Sequence, residues 1–213
     1  PDNTRNTFVK IKQKVTITVC NPEDPNECLS KDSRSSGSGA VVKRTPQGSY
    51  VLTAGHVCSF ERELELAKEI GAKSINIEMR SVNFKLAEYT SDIINVDKNI
   101  DTCLLFARNL YSVREAKIFM GNKGLTASYS IPAMGGSSGS PIFNKDSEII
   151  GMIHSVNVYF PIVSVSPPMD LLVDFVRNSI RMGERMRLDK GEREDGSQDK
   201  TLWETLGLSK TSD

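Results

Sequence analysis

The chain changes direction too often to be anything but a protein of short strands. KVTITVC at 14–20 sets Val15, Ile17 and Val19 on one face, a period of two that marks a half-buried strand. NPEDPNE at 21–27 ends it, because two prolines and three acids cannot continue a sheet. GSGAVVK at 37–43 and SYVLT at 49–53 then flank a Thr-Pro-Gln-Gly turn, the pattern of a hairpin. Strand patterns return over Ser74–Ile94 and Thr102–Ala107, with turn residues at Asp97 to Asn99 between them. AKIFM, LTASYSI, SPIFN, EIIGMIHSV and YFPIVSV continue the habit from Ala116 onward. Closely spaced short strands argue for barrels or sandwiches over an alternating β/α sheet.

Two segments break the rule. Leu64, Ala67 and Ile70 recur at helical spacing between Phe60 and Gly71. After Pro167-Pro168, Leu171, Leu172, Phe175, Val176, Ser179 and Ile180 form the stripe of an amphipathic C-terminal helix. Beyond Gly183 charge and glycine dominate, with Leu202, Trp203, Leu206 and Leu208 as the only apolar group, so a flexible tail is expected over 183–213.

Charge removes several functions. Lys and Arg total 27 and Asp and Glu total 27, so no bulk charge draws the chain to nucleic acid or an anionic membrane. The longest apolar runs fall far short of the roughly 20 residues that span a bilayer, and a soluble chain of unassigned compartment is expected. His56 and His154 are the only histidines, and no CxxC or HExxH occurs, so neither a metal nor a cofactor is expected.

The remaining signals are local. YVLTAGHVC carries a strand into a small-residue turn and presents His56 just past its end. In IINVDKNIDTCLLFA, Asp101 opens an apolar strand, where a carboxylate needs a partner such as a histidine N–H. GGSSGSPIFN surrounds Ser138 with glycines that let successive amides aim at one point. G-x-S-x-G also fits at 135–139, with Ser137 as an α/β-hydrolase nucleophile. Chain order rejects it, since that fold needs an acid and then a histidine after the serine, and His154 follows Ser137 by only 17 residues (154 − 137) with no βα unit between.

The order His56, Asp101, Ser138, with the flanks TAGHV, DTCLL and GSSGSP, resembles the trypsin-like serine proteases of the chymotrypsin fold, over roughly Gly37 to Met182. GSGAVV and SSGSPIFN look closer to the glutamyl-endopeptidase and HtrA-like branches. The resemblance implies an all-β chain of two six-stranded-type antiparallel barrels followed by a C-terminal helix. Its barrels would occupy 1–108, with His56 and Asp101, and 109–182, with Ser138. It also implies a serine endopeptidase acting on protein or peptide substrates, with an oxyanion hole from the amides of Gly136 and Ser138. A fold that keeps the architecture but is catalytically silent, and binds peptides along a strand edge, is the alternative. Only 37 residues separate Asp101 from Ser138, so the second barrel is expected to be reduced.

Family position puts the floor of the specificity pocket near Ile131 to Met134, including Pro132, and one wall on Gly151–Asn157, including Ile153, His154 and Ser155. No acid is present at 131–134, which disfavours basic side chains and favours small or apolar ones. His154 has three open roles: reading the substrate, supporting the triad carboxylate, or plain exposure. Ser137 stands where an activating Asp would be, so switching by a new N-terminal amine is not expected. Cys103 reads as a buried free thiol, and Cys58 lacks a cysteine at the family's usual partner position. Cys20 and Cys28 flank a turn-rich loop that they could close, which would favour an extracellular or periplasmic home.

Overall fold

The computed structural model describes residues 2–111, 114–119, 126–156, 159 and 162–191. A short helix α1 (Asp2–Arg5) leads into six strands: β1 (Phe8–Cys20), β2 (Cys28–Thr45), β3 (Gly48–Ala54), β4 (Ser74–Val82), β5 (Glu88–Asp97) and β6 (Thr102–Arg108). They close into a barrel in the order β1-β2-β3-β6-β5-β4, with every neighbouring pair antiparallel. Helix α2 (Glu61–Glu69) lies between β3 and β4.

Alternation puts Val9, Ile11, Gln13 and Val15 of β1 inside, so the strand begins six residues before the KVTITVC signal; the polar Gln13 interrupts the apolar pattern. β2 is longer still than its GSGAVVK core, because Cys28–Ser36 is exposed yet pairs residue for residue with β1. Every residue of β3 is buried, as are Thr102 to Ala107 of β6. These central strands are covered on both faces, which accounts for their continuous apolar runs.

The second half is less closed. β7 (Lys117–Ile118), β10 (Glu148–Met152) and β9 (Pro141–Phe143) form one three-stranded sheet, and β11 (Ser155–Val156), β12 (Ser164–Ser166) and β8 (Ala127–Tyr129) form another. The Tyr129 hydroxyl donates to Ile150 O, joining the two sheets. The expected reduction of the second barrel is therefore observed. A closed six-stranded barrel, a smaller set of sheets and a C-terminal helix are compatible with a chymotrypsin-like fold.

Helix α3 (Met169–Gly191) buries Leu172, Phe175, Val176 and Ser179, while Leu171, expected in the apolar stripe, is 44% exposed. The helix packs on β5 and β6 of the first barrel. Asn95 donates to Ser179 Oγ at 2.9 Å, and the Arg187 guanidinium lies 4.2 Å from the Phe106 ring centre and donates to the Tyr50 hydroxyl at 2.6 Å. These contacts carry the helix past Gly183, where the sequence suggested a tail; residues 192–213, with Trp203, lie outside the described residues.

All four cysteines are paired, which corrects the free-thiol reading of Cys103. Cys20 and Cys28 are register partners closing the tip of the β1–β2 hairpin. Cys58 bonds Cys103, with 6.4 Å between Cα atoms. No local pattern announces this second bond, because its halves are 45 residues apart and meet only once β3 and β6 pair.

Candidate active site

β3 and β6 are neighbours, with Ala54 opposite Thr102, so the residue following one and the residue preceding the other emerge at the same end. Gly55 donates to Asp101 O at 2.8 Å. A Cβ on Gly55 would stand 2.9 Å from both Asp101 C and Asp101 Oδ1, so glycine is needed for this approach. A 3₁₀ turn over Gly55–Cys58 then presents His56. Asp97 Oδ1 accepts from Asn99 N at 2.9 Å, tightening the turn that delivers Asp101 in a left-handed conformation, φ 47°. The Cys58–Cys103 disulfide joins the chain two residues beyond each of these side chains.

Asp101 grips His56 twice. Its Oδ1 accepts from the His56 backbone amide at 2.7 Å, and its Oδ2 lies 2.8 Å from His56 Nδ1. An ionised carboxylate only accepts, so Nδ1 carries the proton and Nε2 is left as a base. The Asp101 hydrogen bond, and secondarily its charge, raises the His56 pKa above the ordinary 6.5, against partial burial. Burial of Asp101 opposes its ionisation. The approaches of His154 and His56, the His56 amide and the His56 charge outweigh this and hold the carboxyl far below the usual range.

His154 comes to the same carboxylate, with Nδ1 3.4 Å from Asp101 Oδ2. Of its three open roles, the structure places the ring beside Asp101. Its backbone amide donates to Val165 O at 3.1 Å, fixing the chain between β10 and β11.

The Ser138 loop is docked on β2. Ser38 N donates to Ser138 O at 2.8 Å, Ser38 Oγ donates to Gly136 O at 2.8 Å, and Thr53 Oγ1 holds Ser38 O at 2.8 Å. Ser38 belongs to none of the three motifs; a small polar residue between two glycines inside a strand is the signal of close approach by another segment. Gly136 and Gly139 have φ of 91° and 85°, and a Cβ on Gly139 would run into Ser38 O and Thr53 Oγ1.

Within the loop, Ser137 N, Gly139 N and Ser140 N donate to Met134 O, Ile153 O and Ser137 O. The amides of Gly136 and Ser138 donate to no acceptor among the described residues. They flank the Ser137 amide, which is bonded, and backbone amides left without an internal acceptor can donate to an oxyanion. No hydrogen bond joins His56 to the Ser138 hydroxyl among the described residues.

The expected pocket residues separate. Ile153 is 7% exposed, and its amide and carbonyl bond Ser140 O and Gly139 N, so it anchors the loop from beneath. Pro132 and Ser155 are exposed, the latter on edge strand β11. Among the described residues no group of three or more His, Cys, Asp or Glu could hold a metal ion, and no helix is long and apolar enough to cross a membrane. No protein-family model matches the chain, and no curated protein matches it.

Proposed function

We propose that the protein is a trypsin-like serine endopeptidase working through His56, Asp101 and Ser138. The observation that carries the reading is the double hydrogen bond of Asp101 to His56, at 2.7 and 2.8 Å, at the end of the barrel onto which the Ser138 loop docks. His56 Nε2 takes the Ser138 proton as Oγ attacks a peptide carbonyl. Asp101 holds the tautomer and stabilises the imidazolium, and the amides of Gly136 and Ser138 receive the oxyanion. His56 then protonates the leaving amine, and water, activated by the same imidazole, releases the acyl group.

Strand β11, which pairs on one side only among the described residues, offers its other side to an extended peptide, by strand addition. With His154 turned to Asp101 and no acid at 131–134, the pocket near Pro132 and Ser155 suits small or apolar side chains. The two disulfides suit an oxidising compartment. A fluorophosphonate probe tests the reading: the protein labels and cleaves peptides of a diverse library, and Ser138→Ala does neither. A folded protein that resists the probe would overturn it.

The second reading, a silent protease fold that binds peptides, draws on the missing bond between His56 and Ser138. Such bonds are often long without substrate and tighten in the complex, so the active reading is favoured.

A further inference from the structure

A groove of about 540 Å³ runs over the outer face of the first barrel, and five of its lining residues are cations: Lys10, Lys12, Lys14, Arg34 and Arg80. Among the described residues Glu78 and Glu88 are the carboxylates that line it and Asp32 pairs with Lys14 and Arg34 beside it, leaving two excess positive charges (5 − 3) in a chain whose net charge is zero. Alternation along β1 turns Lys10, Lys12 and Lys14 away from the barrel interior. Register places Lys12 between Ser36 of β2 and Arg80 of β4.

This row reaches the candidate active site. Ser36 lines the groove, and its Oγ is 3.4 Å from where a Cβ on Gly136 would stand. Strands lie about 4.8 Å apart, so Lys12 and Arg80 follow about 5 and 10 Å beyond Ser36. An extended peptide advances about 3.3 Å per residue. One whose reacting carbonyl meets the Gly136 and Ser138 amides can therefore bring side chains over the row within about four residues of the cut.

The cations are available. Lys12 and Arg80 share Glu88, Arg80 also meets Glu78 at 3.5 Å, and Lys14 and Arg34 share Asp32 at 3.2 and 3.8 Å, all as solvent-exposed pairs that bind their partners weakly. Lys10 has no carboxylate partner among the described residues. Beneath them the buried Gln13 amide, donating to Val57 O and accepting from Ser35 Oγ, ties the groove floor to the turn that bears His56.

We propose that this groove binds an acidic stretch of the polypeptide substrate beside the scissile bond, so that Asp and Glu near the cut select substrates while the pocket reads an apolar side chain. The proposal rests on the peptidase reading, and its test separates the two. Matched peptides share one cleavable sequence and carry three Glu, three Gln or three Lys within four residues on either side of the bond. The Glu peptide is expected to exceed the Gln peptide about tenfold in kcat/KM at low salt. That excess vanishes near 1 M NaCl, where the screening length is about 3 Å.

Lys10→Glu combined with Lys12→Glu reverses the preference toward the Lys peptide, a gain that misfolding cannot imitate. Fluorescence anisotropy of the same peptides on Ser138→Ala reads the groove without catalysis. Equal kcat/KM and equal affinity for the Glu and Gln peptides, or a preference unchanged by the charge reversal, overturns the groove. An affinity difference that the reversal inverts, without any Ser138-dependent cleavage, upholds the groove and overturns the peptidase reading.

Discussion

The first barrel and the second half solve the same problem with unequal means. The barrel closes on itself through six strands; β3, buried along its length, ends just before His56, and β6 begins just after Asp101, so the two hydrogen-bonded side chains share one barrel end. Among the described residues the second half has strands of two to five residues in two three-stranded sheets, and its Ser138 loop owes its position to Ser38, Thr53 and Ile153, two of which belong to the barrel. Precision at the serine is thus borrowed from the better-packed half. A weak sheet can place a side chain well if a strong neighbour holds its turn.

The hardest blow to this arrangement is chemical. Asp101→Asn keeps the shape of the barrel end but offers His56 an amide, and kcat is expected to fall about 10⁴-fold with melting temperature little changed. Retained activity would mean that the barrel supplies scaffold alone. Next come the disulfides. Cys58→Ser with Cys103→Ser opens a loop of 45 residues and costs about 4 kcal/mol on loop-closure arithmetic, against about 2.5 kcal/mol for the eight-residue loop of Cys20 and Cys28. Denaturant melts of the two double variants compare them, and the first alone should lower kcat, since only that bond braces His56 and Asp101. Equal losses would show that the barrel end holds itself without the bond.

The smallest effect is a pH shift. A His56 acting as base must be neutral to accept a proton, so the acid limb of kcat/KM is expected above the ordinary imidazole range, in the direction its raised pKa gives. The stability linkage has the opposite sense. The contribution of His56 is whole below 6.5 and is lost as pH rises through the raised value; that of Asp101 is whole above 3.8 and is lost as pH falls through the lowered one. Replacing His154 by Ser leaves the Asp101 charge to bear more fully on His56, moving the acid limb further up with less than about a tenfold loss of kcat/KM. A pH–rate profile that does not move would reduce His154 to packing.

Much of this was readable beforehand because the informative residues sit in short, chemically demanding contexts. His56 follows a glycine that nothing larger could replace, and Ser138 lies among glycines whose backbone turns require them. Strand extent was less legible. Cys28 to Ser36 has no apolar period, and its conformation comes from β1, a partner that a single segment does not disclose. The Cys58–Cys103 bond and the docking of Ser38 on Ser138 are likewise facts of strand adjacency, absent from local pattern. α3 outlasted its expected end because Arg187 meets Tyr50 and Phe106, residues far away in sequence.

That last contact also orders events in time. The stretch between β6 and α3 meets the barrel on its way, through Ala116 N to Val41 O and Ser38 N to Ser138 O, and α3 then lies down on β5 and β6. A ribosome that has made the whole barrel has still not made the clasp, since Arg187 comes 49 residues after Ser138 (187 − 138). The growing chain therefore finishes the strands that bring His56 and Asp101 together first, and gains the Arg187 clasp on Tyr50 and Phe106 last.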